Sequence, residues 1–221
     1  MDYLFALLTG YLCGSIPTAY WLGLIFYRLN IFEHGSRNMG ATNVYRVLGT
    51  LPFAFTLAID VLKGMAAVFI SAAFWPAGPA VVFIAAAGAL AGHTLSFWVG
   101  FKGGKGVATG LGVFMALAGK AALGSLSVFM ITLLISRMVS LSSVLAATFL
   151  PLFIFLSGEP GPAHNLYLTA FATLIAAFVI FKHKSNIQRI ITGEETRLSW
   201  RTPTVEPLPS DNKPTDGENT K

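Results

Sequence analysis

The stretch from Leu51 to Trp75 reads LPFAFTLAIDVLKGMAAVFISAAFW. It is long enough to cross a bilayer as a helix and carries only two charged residues, Asp60 and Lys63. These are three apart and therefore share one helix face. A charge in a membrane segment is costly, so each is a candidate for the surroundings of a functional site. The plainer reading is a mutual ion pair that holds helices together.

The rest of the chain repeats this pattern. Of its 221 residues 54% are hydrophobic and 11% are charged, whereas a soluble domain carries about 25% charged residues. So few charges do not cover a water-facing surface, which makes lipid the expected solvent. The expected fold is all-α, a polytopic membrane helix bundle. Seven spans are expected: Tyr3–Phe26, Leu51–Trp75, Pro79–Val99, Val107–Gly119, Ala121–Ser136, Leu141–Ser157 and Leu166–Phe181. The fourth is short for a hydrocarbon core and reads equally as a tilted or partly re-entrant helix. The N-terminus has an acidic Asp2 and no basic region, so the first run reads as a retained span rather than a cleaved signal.

The formal charge is +5, but the basic residues fall at the ends of apolar runs instead of forming one arm. That pattern argues for membrane topology and anionic substrates, and against nucleic acid. With the N-terminus outside, Arg28, Arg37, Arg46, Lys102, Lys105, Arg137, Lys182, Lys184 and Arg189 share one side and Lys120 stands on the other. The basic side is the cytoplasmic one by the positive-inside rule. Residues 1–201 form the expected membrane domain. Residues 202–221, rich in Pro, Asp, Asn and Thr, form an expected disordered cytoplasmic tail. The single cysteine, Cys13, reads as a small buried residue.

Three polar segments interrupt the apolar pattern, all on the basic side. The first, Glu33 to Arg46, packs Ser36, Asn38, Thr42, Asn43, two arginines and two glycines into a short loop. Its glycines permit close approach of backbone N–H groups to a ligand, and Arg46 offers a planar fork for phosphate. It reads equally as a connector built on Asx turns and a helix cap. In the second, Gly100 to Gly110, glycines surround Lys102 and Lys105 just before a helix. Backbone N–H groups, a helix N-terminus and ammonium groups together favour an anion; basic anchoring at a membrane boundary is the alternative. It is not a Walker A loop, because Gly106 follows Lys105 where Ser or Thr is required. In the third, Lys182 to Glu195, His183 and Asn186 share a helix face, and Ile187, Ile190 and Ile191 give an amphipathic pattern that also suits a helix lying on the bilayer. His93 lies near the basic end of the third span, placed to bond within the bundle or to line the site. His34 and His164 sit in loops and receive no role.

There is no HExxH, no CxxC and no cluster of carboxylates, so no metal is expected. The GxSxG elbow is absent. So is an HxxxxD pair, since Met39, Trp98, Thr169 and Gln188 stand five residues after the four histidines.

These segments resemble the PlsY family, the bacterial acyl-phosphate:glycerol-3-phosphate acyltransferases. Residues 35–49 resemble its GSGNxGATNVxRxxG motif, and residues 92–109 its GHxxPxxxxFKGGKGVAT motif. His183, Asn186, Ile187, Arg189, Gly193 and Glu195 resemble its HxxNIxRLxxGxE motif. Gly14-Ser15-Ile16-Pro17 and Asp60-Val61-Leu62-Lys63-Gly64 also fit. The resemblance runs from residue 1 to about 198. Arg37 stands where Gly is usual, Ser96 where Pro is usual and Ile190 where Leu is usual.

The resemblance implies seven transmembrane helices with the N-terminus outside. It implies transfer of an acyl group from acyl phosphate to the 1-hydroxyl of glycerol 3-phosphate, in a bacterial inner membrane, with no cofactor. The expected roles are as follows. Ser36, Asn38, Thr42, Asn43 and Arg46 line the reaction centre, with Arg46 on phosphate. Lys102, Gly103, Gly104, Lys105 and Gly106 hold the phosphate of the acyl donor. His183 and Asn186 orient glycerol 3-phosphate, and Glu195 ties the tail helix in place. Asp60, Lys63 and His93 support the site. His183 is the best protein base by type, although a substrate phosphate is an alternative proton acceptor, and Ser36 as a covalent nucleophile is the least favoured route. A monomer is the expected state. The competing classes are a transporter of a phosphorylated solute, which needs access from both faces, and a structural scaffold, which needs no glycines around lysines.

Overall fold

The computed structural model describes residues 1–75, 78–158 and 162–199. The expected tail, residues 202–221, lies outside the described residues, as do parts of the two connections expected on the outer side. Among the described residues the chain is all helical: α1 Asp2–Ser15, α2 Thr18–Tyr27, α3 Ala41–Leu48, α4 Thr50–Phe74, α5 Pro79–Thr94, α6 Val107–Leu117, α7 Gly119–Ser136, α8 Val139–Ser157, α9 Pro162–Lys182 and α10 Lys184–Ile191. Single 3-10 turns cover Ile31–Glu33 and Phe97–Val99.

Five segments are long and apolar enough to cross a membrane: Thr50–Phe74, Pro79–Val99, Gly119–Ser136, Val139–Ser157 and Asn165–Lys182. The helix of the expected fourth span, α6, has 11 residues and is therefore roughly 16 Å long, about half a hydrocarbon core.

The expected first span, Tyr3–Phe26, is not one helix. Pro17 lacks the N–H that would continue the ladder and its ring disfavours helical geometry at Ile16. The chain accordingly breaks there, with Ile16 at φ −56°, ψ 113°. The polar segment read as a loop through Arg46 also differs, because it turns helical at Ala41. Ala41, Val44 and Leu48 recur at helical spacing and are buried on that face, where Val44 and Leu48 pack with Ile31 and Met39.

Small residues let the helices approach closely, as expected where lipid supplies no hydrophobic drive between them. On α1, a Cβ on Gly10 or Gly14 would lie 2.0 Å or 1.9 Å from the carbonyl oxygen of Ala85 or Ala89 on α5. On α4, one on Gly64 would lie 2.2 Å from the Thr109 carbonyl of α6. The interior is lined by Ala67, Ala86, Ala89, Val113, Phe114 and Ile154 among others. Large apolar side chains such as Phe55, Leu62, Phe69, Leu134 and Phe155 face outward, as a lipid-solvated surface requires.

Candidate active site

A polar network lies at the helix break. Asp60 and Lys63 form an ion pair at 2.8 Å with both side chains 3% exposed. The Lys63 ammonium donates at 2.8 Å to the Ile16 carbonyl, which at the helix break also accepts from the Thr18 N–H at 3.1 Å. Thr18 donates to Asp60 Oδ1 at 3.3 Å. His93 Nδ1 lies 3.9 Å from Asp60 and 3.1 Å from the Thr109 hydroxyl. The ion pair therefore has hydrogen-bond partners on both members, the condition under which a buried pair is tolerated. Ser96, one of the departures from the resembled motif, is fully buried and donates to the Ser15 carbonyl at 2.5 Å. It thus serves a second carbonyl at the same break.

The first polar segment is held by Asn43, which is 1% exposed. Its oxygen accepts from the Ser36 N–H at 2.7 Å. Its amide donates to the carbonyls of Ile31 at 3.2 Å and His34 at 3.1 Å. All three bonds go to its own loop, so this side chain shapes the segment and has no amide hydrogen left for a ligand. Asn38 Oδ1 accepts from the Gly40 N–H at 2.9 Å, an Asx turn that leads into α3. Ser36 is exposed beside it, and Thr42 is half-buried in the first turn of α3. Arg46 stands in the last turn of α3.

The second segment folds back under the end of α5. The Gly104 N–H donates to the His93 carbonyl at 3.2 Å. A Cβ on Gly104 would lie 2.2 Å from His93 Nε2, and one on Gly103 would lie 2.2 Å from the His93 oxygen. Both glycines are therefore fixed by the histidine beneath them. Gly106, at φ 79°, is the left-handed N-cap of α6. Lys105 leaves this turn and donates to Asn186 Oδ1 on α10. Lys102 departs from the expected pairing with Lys105: it is exposed and borders a separate cavity with Tyr20, Asn30, Phe32 and Trp98.

The third segment completes the cluster. Asn186 donates to Glu195 Oε1 at 2.7 Å, and Arg189 Nε donates to Oε2 at 2.8 Å. Ser140, at the start of α8, donates to Oε1 at 2.6 Å. His183 Nδ1 lies 2.7 Å from the Val179 carbonyl. That partner only accepts, so Nδ1 carries the proton and the lone pair is on Nε2. Beyond Glu195 the chain crosses back over the face. Leu198 N–H donates to the Arg137 carbonyl at 2.6 Å, and the Tyr45 hydroxyl donates to the Ser199 carbonyl at 2.9 Å.

The electrostatics follow from this crowding. Burial, with Arg189, Arg46 and Lys182 nearby, pushes the Lys105 ammonium down to about 8, against the pull of Glu195. Burial also lowers His183 to about 4, with Lys105 adding to the effect while the Val179 carbonyl and Glu195 oppose it. Burial by itself would raise Glu195, but hydrogen bonds from Ser140, Asn186 and Arg189 outweigh it and hold the carboxyl below its usual value. Burial lowers Arg46, which Glu195 partly offsets; a guanidinium stays charged at neutral pH all the same. Three cations, Arg46, Lys105 and Arg189, thus act on one carboxylate, and a fourth, Lys182, stands near Lys105. A bound anion would relieve that imbalance.

Directly beside the cluster an apolar groove begins at Gly106 and runs between α6, α7, α8 and α9, past Gly110, Ser143, Ala146 and Ala176. A cationic patch at the mouth of an apolar groove suits an amphiphile with an anionic head. Among the described residues no group of His, Cys, Asp and Glu is arranged to hold a metal ion.

Sequence reading singled out the members of this cluster on α10 and the glycine turn, but it missed Ser140, Thr18, Thr109 and the strap over residues 194–199. A signal for Ser140 existed, since Ser140, Ser142 and Ser143 crowd one end of an apolar run. Ser142 and Ser143 bond back to their own helix, which leaves Ser140 to face Glu195.

A family model described as glycerol-3-phosphate acyltransferase matches residues 4–193. The glycerol-3-phosphate acyltransferase of Synechococcus sp. (strain JA-3-3Ab) is 43% identical over 198 residues, covering 90% of this chain and 94% of that one. That of Trichlorobacter lovleyi is 44% identical over 195 residues, covering 88% and 97%. Two crystal structures of PlsY, an integral membrane glycerol 3-phosphate acyltransferase, are similar at 35% identity, each covering 90% of this chain and 96% of the other. The lysophosphatidic acid form matches with a TM-score of 0.80 and the glycerol 3-phosphate form with 0.81.

Proposed function

The chain belongs to the glycerol-3-phosphate acyltransferase family, and on that premise we propose that it moves a fatty acyl group from acyl phosphate to the 1-hydroxyl of glycerol 3-phosphate. The products are lysophosphatidic acid and inorganic phosphate, and the reaction opens phospholipid synthesis. The observation that carries this reading is the adjacency of Lys105, in the cation cluster, and Gly106, at the mouth of the apolar groove. One substrate is an anion from the cytosol. The other is an anion with an apolar chain, and the two demands meet at consecutive residues.

Acyl phosphate is a mixed anhydride, so it needs positioning and charge neutralisation more than activation. The 1-hydroxyl oxygen attacks the acyl carbon, the bond from that carbon to the phosphate oxygen breaks, and phosphate leaves with the electron pair. The hydroxyl proton goes to His183 Nε2 or to a substrate phosphate oxygen; both acceptors carry a lone pair at neutral pH. Arg46 and Lys105 offset the repulsion of the two anions, with Lys105 and Gly103–Gly106 on the donor phosphate. Asn186, held by Glu195, orients glycerol 3-phosphate. Ser36, Asn38 and Thr42 border the centre, while Asn43 and His93 shape the two turns. Lys102 stands apart from this centre, on the neighbouring cavity. No cofactor enters this scheme.

The bundle reads as seven spans, with α1–α2 and the short α6 added to the five long segments. Its N-terminus lies outside and its basic face is cytoplasmic, in a bacterial inner membrane. Residues 1–201 act as one membrane domain, in a monomer, with residues 202–221 as a polar tail. The donor is tested by giving purified protein in detergent labelled glycerol 3-phosphate with palmitoyl phosphate, and in parallel with palmitoyl-CoA. Lysophosphatidic acid from the phosphate alone is expected. Product from the thioester alone would overturn the donor assignment.

A further inference from the structure

Three helices set the direction of the apolar groove independently. On α6, Gly106 adjoins Lys105 and Phe114 lies two turns further on. On α8, Ser143 is close to the Ser140 that holds Glu195, and Leu150 lies further along the same helix. On α9, Val179 carries the carbonyl that fixes His183, and Ile175 is a turn away from it. The groove mouth is therefore at the cation cluster, and its far end is at Phe114 and Leu150.

Gly106, Gly110 and Phe114 lie four residues apart on one face of α6, all lining the groove. Gly110 differs from the glycines that pack helices. On the same helix, a Cβ on Gly112 would lie 1.9 Å from the Val61 carbonyl oxygen, so backbone packing demands that glycine. A Cβ on Gly110 would meet only Leu90 Cδ2, at 3.7 Å, an ordinary contact. Helix packing thus leaves room for a side chain at Gly110, a residue that itself lines the groove. Phe114 is 2% exposed and backed by Phe171, with ring centroids 6.0 Å apart. Phe171 in turn stacks on Phe83 at 5.1 Å. The end of the groove is therefore braced by an aromatic layer.

We propose that Gly110 and Phe114 are the specificity-determining residues for acyl chain length, Gly110 by leaving the groove open and Phe114 by closing it. This rests on the acyl-donor reading given above. From Gly106 to Phe114 the helix rises roughly 12 Å. An extended alkyl chain advances roughly 1.3 Å per carbon, from ~1.5 Å bonds at tetrahedral angles. The groove therefore takes about nine carbons below the reacting carbonyl. Longer chains turn out of it toward lipid above Phe114.

The test compares kcat/KM for butyryl, octanoyl, dodecanoyl and hexadecanoyl phosphate in the full-length protein, Gly110→Leu and Phe114→Ala. Gly110→Leu is expected to lower hexadecanoyl transfer at least tenfold relative to butyryl transfer. Phe114→Ala is expected to raise the dodecanoyl-to-butyryl ratio at least threefold. Gly110→Ala serves as a milder variant should Leu disturb folding, with an expected shift of twofold or more in the same direction. Ratios unchanged in all three variants would overturn the proposal while leaving the acyl-phosphate donor intact. Should the unsubstituted protein use only acyl thioesters, the donor reading fails, and the same chain-length series run on thioesters still decides the roles of Gly110 and Phe114.

Discussion

Lys105 and Asn186 lie 81 residues apart in sequence, and the Lys105 ammonium donates to the Asn186 amide oxygen. The same amide donates to Glu195, which also receives Ser140 and Arg189. One carboxylate thus organises groups from α8 and α10, and through Asn186 the lysine of the glycine turn. Glu195→Ala leaves a serine, an amide and a guanidinium without their acceptor. Loss of a buried acceptor with charged partners is worth about 2–3 kcal/mol, so a clear drop in melting temperature is expected. Activity should fall more than tenfold, because Asn186 and Lys105 lose their fixed positions. Thermal denaturation in detergent beside an acyl-transfer assay reads both effects.

The pH dependence follows from Lys105. Its ammonium titrates near 8 when buried, against 10.5 for the ordinary side chain. The folded state therefore holds fewer protons than the unfolded state between those values, and this group's contribution to stability rises with pH through that window. Substrate binding runs the other way, since the cation that attracts phosphate is lost above about 8. The KM for the acyl phosphate should rise as pH passes 8. In Lys105→Arg, whose guanidinium stays charged, the rise should disappear even if overall activity is lower.

His183 should remain a neutral imidazole with its proton on Nδ1. Burial holds it near 4, and the Val179 carbonyl fixes the tautomer. Nitrogen NMR of labelled histidine should show one ring unprotonated on Nε2 from pH 8 down to pH 5. Protonation of that ring near 6.5 would contradict the buried geometry.

Gly104 and His93 are coupled by contact. Gly104→Ala places a methyl 2.2 Å from His93 Nε2, so either the imidazole or the turn must move. Activity should drop at least tenfold. Adding His93→Ala should recover part of the lost thermal stability, so the double variant will not equal the sum of the singles. Strict additivity in a double-mutant cycle would show that the turn is not shaped by His93.

The Asp60–Lys63 pair, buried where the first apolar run breaks, should be far more sensitive to removal of one member than of both. Lys63→Met leaves a buried carboxylate and should cost about 3 kcal/mol or more. Asp60→Leu with Lys63→Met together should cost less than Lys63→Met alone. Denaturation of the three variants in the same detergent makes the comparison.

The apolar runs were legible because lipid imposes a simple rule: spans show as apolar stretches and polar segments as interruptions. The break at Pro17 was not read, because Ile16 and Pro17 are themselves apolar and leave the run uninterrupted by composition. The start of α3 was also missed, since Ala41 to Arg46 looks like a polar loop until Ala41, Val44 and Leu48 are seen on one buried face. Within the site, residue types gave the cations and glycines. They did not give the Lys105–Asn186 bond, which depends on how the glycine turn before α6 meets α10. Asn43 and Lys102 show the same limit: motif membership did not reveal that one serves its own loop and the other faces a different cavity.

The most direct test is the rate of palmitoyl-phosphate-dependent acylation of glycerol 3-phosphate by purified Arg46→Ala and Lys105→Ala, each checked for an unchanged melting temperature. If the cation cluster at the groove mouth is the reaction centre, each variant should lose at least a hundredfold in kcat/KM, with lysophosphatidic acid and phosphate released one to one by the unsubstituted protein. Activity within threefold of the unsubstituted protein in both folded variants would contradict the placement of the reaction at this cluster.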